Sequence, residues 1–248
     1  MFPRVNKLFK IILSLAEGRY TYGWCPVCEH NAIFVKCSPW LRDNYICIYC
    51  RSVPRNRALC LVMRAIYPNY ERLIIHESSP VGSTFKKFSR FCGYYSSSQY
   101  FPKIPSGKYI NGIRCENIER MSFPDECIDL FITQDVFEHV VNPNRAFKEI
   151  QRVLKPGGAH IFSIPLYKRK TTIIRAKEES GTLKYLLPKT YHLNPIDRNG
   201  SLVVREWGYD ISNYIYDCSG MHTCIYLPKN KYMGLNAEFL EILVSKKP

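Results

Sequence analysis

The sequence predicts an α/β protein, a doubly wound and mostly parallel sheet preceded by a small cysteine-bearing segment, and three observations carry that prediction. Residues 128–165, IDLFITQDVFEHVVNPNRAFKEIQRVLKPGGAHIFSIP, read as a buried strand, an amphipathic helix and a second buried strand in unbroken order, which is a βαβ unit. Cys25-Pro26-Val27-Cys28 and Cys47-Ile48-Tyr49-Cys50 form two C-x-x-C pairs. Finally, 248 residues with 46% apolar content leave room for one domain of about 180 residues and an appendage.

Within the βαβ unit, Ile128, Leu130, Phe131 and Ile132 form an apolar run that stops at Gln134-Asp135, as a strand does on leaving the core of a parallel sheet. Asn142 can cap a helix whose first turn accepts Pro143, and Ala146, Phe147, Ile150, Val153 and Leu154 fall on one face. Pro156-Gly157-Gly158 stops that helix, and Ala159 to Ile164 returns as the next strand. Ligands of open parallel sheets bind beyond the carboxyl ends of the strands, where Asp135, Glu138 and His139 are placed.

The net charge of +14 suits an acidic partner such as nucleic acid, a phosphorylated small molecule or an anionic surface; it equally suits a generally basic exterior, since Lys and Arg are spread along the chain. Of eleven cysteines, four are in the knuckle pairs and seven are scattered through apparent core segments, which favours a reducing, cytoplasmic setting over a disulfide framework. The opening residues read as an amphipathic helix built on Leu8, Ile11, Ile12 and Leu15, with Lys10 interrupting anything like a leader. No stretch reaches the roughly 18 apolar residues that span a bilayer, so a soluble protein is expected.

In chain order the sequence divides into the amphipathic helix (1–20), the knuckle segment (21–57), a linker helix (58–69) and the α/β domain (70–248), which carries an irregular, basic insertion over 166–208. The knuckle spacing is that of a zinc ribbon or a rubredoxin-like pair. Four thiolates on two such turns close a tetrahedral site that supplies folding energy to a segment without its own core; iron fits the same ligands, and zinc is preferred on abundance. Arg51, Arg55 and Arg57 follow, either as a phosphate-holding group or as the solvated face of the linker helix. Strands are expected over 72–76, 93–98, 113–115, 221–227 and 237–244, with helices around Phe85, Phe88 and Phe91 and over 211–218.

The D-V-F-E-H-V turn, the helix ending R-V-L-K-P-G-G and the strand ending in Pro165 resemble the second half of class I S-adenosylmethionine-dependent methyltransferases of the type 11 kind. The resemblance extends over residues 70–246 and implies a seven-stranded Rossmann-like sheet with its last strand antiparallel. It implies cofactor contacts from the Glu77-Ser78-Ser79-x-x-Gly82 turn, from Gln99 and Tyr100 at the ribose, from Asn117 and Ile118 at the adenine, and from Asp135. The turn holds one glycine where the family has several, and Gln99 stands where the family has an acidic residue.

The resemblance also implies methyl transfer to a small-molecule or glycan acceptor at oxygen or nitrogen. Alternatives are an RNA methyltransferase that docks through the ribbon, and a non-catalytic ribbon protein with a degenerate methyltransferase domain. Such a transfer needs alignment, exclusion of water and removal of a proton from a hydroxyl acceptor. His192, beside Tyr191 in the insertion, is the expected base, with His139 second; a hydrogen-bonded structural role is the alternative for each.

Overall fold

The computed structural model describes the backbone of residues 3–80, 82–192 and 199–248, and side chains from Lys7 onward. The chain divides into two compact units, one of residues 1–72, 81–93 and 226–242, the other of residues 73–80, 94–225 and 243–248.

The first unit is built on a three-stranded antiparallel meander of β1 (Tyr20–Cys25), β2 (His30–Lys36) and β3 (Tyr45–Cys47), with helices α1 (Pro3–Ala16), α2 (Leu41–Asn44), α3 (Pro54–Ile66) and α4 (Gly82–Phe91). Its small core joins Ile11, Val35, Cys37, Ile46 and Val53, with Leu15, Ile33 and Ile48 packed against them. The first helix forms as the periodicity requires, but it turns a different stripe inward. Ile11 and Leu15 are packed while Leu8 and Ile12 are exposed, because the small meander can cover only one i, i+4 pair. Gly23 is fixed by close approach, since a Cβ there would run into the carbonyl of Tyr232.

The second unit is organised by the main sheet. Its strands are β4 (Ile74–Ser78), β5 (Tyr94–Gln99), β6 (Tyr109–Ile110), β7 (Ile113–Cys115), β8 (Ile128–Gln134) and β9 (Leu154–Ser163), with helix α5 (Pro143–Val153) between the last two. Strands β9, β8, β4, β5 and β7 lie side by side and parallel, and β6 pairs antiparallel with β7. All seven expected strands are present. The eighth, β6, is a two-residue hairpin arm with no apolar alternation to announce it. Asn142 accepts a hydrogen bond from the Arg145 amide and Pro143 opens α5, as expected. Ala146, Phe147, Ile150 and Val153 are fully buried with Phe131, Phe162 and Trp207 in one continuous core.

The insertion over 166–208 has its own short ladders. Antiparallel pairs join β10 (Ile173–Ile174) to β15 (Arg205–Glu206), β11 (Ala176–Glu179) to β12 (Thr182–Tyr185), and β13 (Tyr191–His192) to β14 (Ser201–Leu202). Leu193, Asn194 and Pro195 lie outside the described residues. Trp207 anchors the far end, buried and donating from Nε1 to the Phe137 carbonyl at 3.1 Å. Glu206 binds Arg169 at 2.6 Å and Arg175 at 2.5 Å. Helix α6 (Ile211–Ser219) follows and ends on Gly220 in the left-handed conformation; β16 (His222–Tyr226) and β17 (Ile242–Lys246) complete the sheet on the β9 side.

Candidate functional site

In the first unit the two knuckles repeat one turn. Glu29 and Arg51, each four residues after the first cysteine of its pair, take φ of 60° and 64° and donate their amides to the carbonyls of Cys25 (2.8 Å) and Cys47 (3.0 Å). The four sulfurs lie within 4.8 Å of one another. Cys25 and Cys50 are 3.7 Å apart and Cys28 and Cys47 3.9 Å, against about 3.8 Å for the edge of a tetrahedron with zinc–sulfur bonds of about 2.3 Å. The contact with Cys28 holds the Cys25 thiol far below its ordinary range and drives Cys28 far above it, so without a cation the cluster keeps protons on some of its sulfurs; a bound metal ion would take all four as thiolates. The donor set therefore fits a structural zinc, and four protein ligands leave no position for a substrate.

Two groups around the sulfurs were not assigned from sequence. The Ser52 hydroxyl lies 3.4 Å from Cys25 Sγ and 3.1 Å from Cys50 Sγ. Arg57 is neither a phosphate clamp nor a solvated residue. It is fully buried and donates to the carbonyls of Ser52 (2.6 Å), Tyr45 (2.9 Å) and Gly234 (2.9 Å), with its guanidinium 4.5 Å above the Phe34 ring. Burial lowers its pKa to about 10 against the pull of the thiolates of Cys25, Cys47 and Cys50. Arg55 pairs with Asp43, and Arg51 is exposed. Apolar Val53 ahead of Pro54 was the available sign that this segment turns inward.

In the second unit, four neighbouring parallel strands deliver their carboxyl ends to one edge of the sheet. Glu77, Ser78 and Ser79 close β4; Gln99 and Tyr100 close β5; Asn117 and Ile118 follow β7; Asp135 follows β8. Gly82 opens α4 in the first unit with φ 72°. Glu77 is wholly buried, Oε2 accepting from the Tyr95 hydroxyl (2.7 Å) and Oε1 from Gln134 Nε2 (2.8 Å). Desolvation outweighs both hydrogen bonds and raises its pKa to about 7.

Ser79 and Asp135, on adjacent strands, both adopt positive φ, 58° and 53°. The turn thus takes the left-handed conformation at a serine, at a cost of about 1–3 kcal/mol. The Asn117 side chain accepts from the Glu119 amide (2.9 Å), Ile118 is buried beside it, and Tyr100 is half exposed. Among the described residues the Gln99 side chain has no hydrogen-bond partner of its own, so its amide is free to meet a hydroxyl.

Past β8 the turn carries Glu138 and His139. The insertion meets it there, the amides of Val204 and Arg205 donating to the Glu138 carbonyl at 2.9 and 3.3 Å. His139 Nδ1 lies 2.8 Å from the Leu202 carbonyl, and the paired strand β13 brings His192 edge-on to the His139 ring at 5.2 Å. Gly200 is required beneath it, since its φ is 80° and a Cβ would lie 2.5 Å from the His192 carbonyl. Tyr191 is exposed on the same strand. The carboxylate of Glu138 joins the two imidazoles in a cluster whose nearest atoms lie within 4.8 Å of one another. The sequence places Glu138 at the strand end; its closeness to His192 was not legible.

The main sheet, with its polar residues gathered at the carboxyl edge, has the α/β Rossmann-like fold of methyltransferases, and the other unit is a small antiparallel cysteine-knuckle meander. Residues 97–162 match the Methyltransf_11 family, described as a methyltransferase domain. The ubiquinone/menaquinone biosynthesis C-methyltransferases UbiE of Pectobacterium carotovorum and Pectobacterium atrosepticum are 26% and 27% identical over 114 residues, 40% of this chain. The chain spans 45% of the length of these curated relatives. Among solved structures, an S-adenosylmethionine-dependent methyltransferase of Mesorhizobium loti shares 16% identity with a TM-score of 0.48, covering 77% of this chain and 98% of that one. A complex of the Trm112 methyltransferase activator with a methyltransferase from Haloferax volcanii gives 14%, 0.48, 78% and 91%. Among the described residues no helix is long and apolar enough to cross a membrane.

Proposed function

We propose that this chain transfers the methyl group of S-adenosylmethionine to an oxygen or nitrogen of a small-molecule or glycan acceptor, with the carboxyl edge of the main sheet as the cofactor site. The observation that carries the reading is the convergence of Glu77, Ser78, Ser79, Gln99, Asn117, Ile118 and Asp135 on four adjacent strand ends, two of them in strained backbone.

The cofactor brings an activated methyl group; the chain's own residues bind, orient and exclude water. In this reading Gln99, aided by Tyr100, meets the ribose hydroxyls, and Asn117 with the apolar Ile118 takes the adenine edge and face. Ser78 and Ser79 offer hydroxyl and amide donors to the carboxylate end of the cofactor. The insertion, fastened by Trp207 and by the Glu206 pairs, covers the acceptor, and the cluster of Glu138, His139 and His192 handles the acceptor's proton with Tyr191 beside it. A zinc on Cys25, Cys28, Cys47 and Cys50 holds the knuckle unit together, in a cytoplasmic protein.

Titration calorimetry with S-adenosylmethionine tests the site, and untargeted mass spectrometry of products formed from an extract identifies the acceptor. Absence of binding would favour a non-catalytic ribbon protein instead. Given binding and turnover, His192→Ala should lower turnover by roughly 100-fold while leaving cofactor affinity intact. Full turnover in that variant would make His192 structural.

A further inference from the structure

We propose that Glu138, His139 and His192 hold a divalent first-row metal ion, and that the ion rather than a free imidazole activates a hydroxyl acceptor. The inference deepens the methyl-transfer reading and rests on it for the ion's use, but not for its binding.

The first observation is Glu138 itself. It is 2% exposed, and among the described residues neither carboxylate oxygen has a hydrogen-bond partner. Among the described residues no lysine or arginine pairs with it; its ionisable neighbours are His139 Nε2 at 3.8 Å and His192 Nδ1 at 3.7 Å from Oε1. Both distances are too long for a hydrogen bond. A buried carboxylate that accepts nothing is unfavourable unless a cation satisfies it.

The second observation fixes the tautomer of His139. Its Nδ1 sits 2.8 Å from the Leu202 carbonyl, and a carbonyl can only accept, so Nδ1 carries the proton. In the neutral ring, Nε2 then presents a lone pair towards the carboxylate. A histidine that gives one ring N–H to a backbone carbonyl and turns its other nitrogen to a carboxylate oxygen is oriented as metal-ligating histidines are. Two atoms bound to one tetrahedral ion at about 2.1 Å are about 3.4 Å apart, so a small contraction from 3.7–3.8 Å closes the site.

One carboxylate and two imidazoles, with no thiolate, select a borderline cation such as manganese, iron, cobalt or zinc over calcium or magnesium, which prefer all-oxygen sites. Three protein ligands leave open positions, and His192, the least buried of the three, marks the side from which an acceptor enters. A hydroxyl at the open position loses its proton to water more readily. Its oxygen lone pair forms the new O–C bond to the methyl carbon, and the C–S bond breaks with its pair passing to sulfur. His192 then serves as a ligand, not as the base expected from sequence.

The test uses the full chain with its cysteine site filled with zinc, titrated with manganese(II) chloride and followed by loss of the aqueous manganese EPR signal. One manganese per chain should bind. Glu138→Gln and, separately, His192→Asn should each weaken that binding at least tenfold while zinc content stays unchanged. Should Glu138→Gln fail to fold, His192→Asn on its short strand carries the same test. Cofactor calorimetry on the same preparation reports on the methyl-transfer reading independently. No manganese binding, or binding that survives both substitutions, overturns the proposal.

Discussion

Replacing Glu77 by glutamine should change how stability depends on pH, and the size of the change follows from the burial of that side chain. Burial raises the Glu77 pKa from 4.5 to about 7, a difference of about 2.5 units or roughly 3 kcal/mol between its two protonation states. The native state binds the proton more tightly than the unfolded chain. The contribution is therefore fully present below pH 4.5 and is lost as the pH rises through 7. Between pH 5 and pH 8 linkage gives a loss of about 2.5 kcal/mol. The glutamine of the variant carries no charge, so its stability has no such pH dependence; it lies about 1 kcal/mol below the wild type with Glu77 protonated, because an amide cannot accept from both Tyr95 and Gln134. Buried His76 and His160, both held at about 3, stay neutral across this window and are common to both proteins. Denaturant unfolding of the zinc-loaded proteins at pH 5 and pH 8 should show Glu77→Gln less stable at the lower pH and more stable at the higher. A stability difference that does not move with pH would refute the reasoning.

Removal of zinc with a chelator, or Cys28→Ser, should lose one metal per chain by elemental analysis and unfold the meander; a metal-free preparation with the first unit intact by hydrogen exchange would count against the site. Gln99→Glu should tighten S-adenosylmethionine binding by calorimetry, since a charged acceptor meets the ribose hydroxyls; equal or weaker affinity would remove Gln99 from the ribose. Ser79→Gly should raise stability by about 1 kcal/mol in denaturant unfolding, because glycine takes the φ of 58° without a Cβ clash. Arg57→Met should cost about 3 kcal/mol or more, as three buried carbonyls lose their donor.

What was legible in the sequence is what repeats locally. The apolar run of β8, the Asn142 cap and the 3.6-residue face of α5 are patterns of nearest neighbours, and they name both the elements and their order. The C-x-x-C pairs are legible for the same reason, since each knuckle closes on itself. Contacts made across long separations left no such trace. The Leu202 carbonyl that fixes His139 is 63 residues away, and only the folded insertion puts His192 beside Glu138. Arg57 looked like a surface charge because its carbonyl acceptors are backbone atoms, which no side-chain pattern records.

The knuckle unit is threaded from three pieces of chain, and its last piece carries Gly234, whose carbonyl closes the hydrogen-bonding of Arg57 across 177 residues. During synthesis the four cysteines leave the ribosome long before that carbonyl exists; at about 5–20 residues per second the interval is roughly 10–35 s. The four sulfurs are therefore available to a metal before the arginine's cradle is complete. In the nascent segment the guanidinium beside the sulfurs lacks one acceptor, and its full hydrogen bonding waits on the distant piece of chain that carries Gly234.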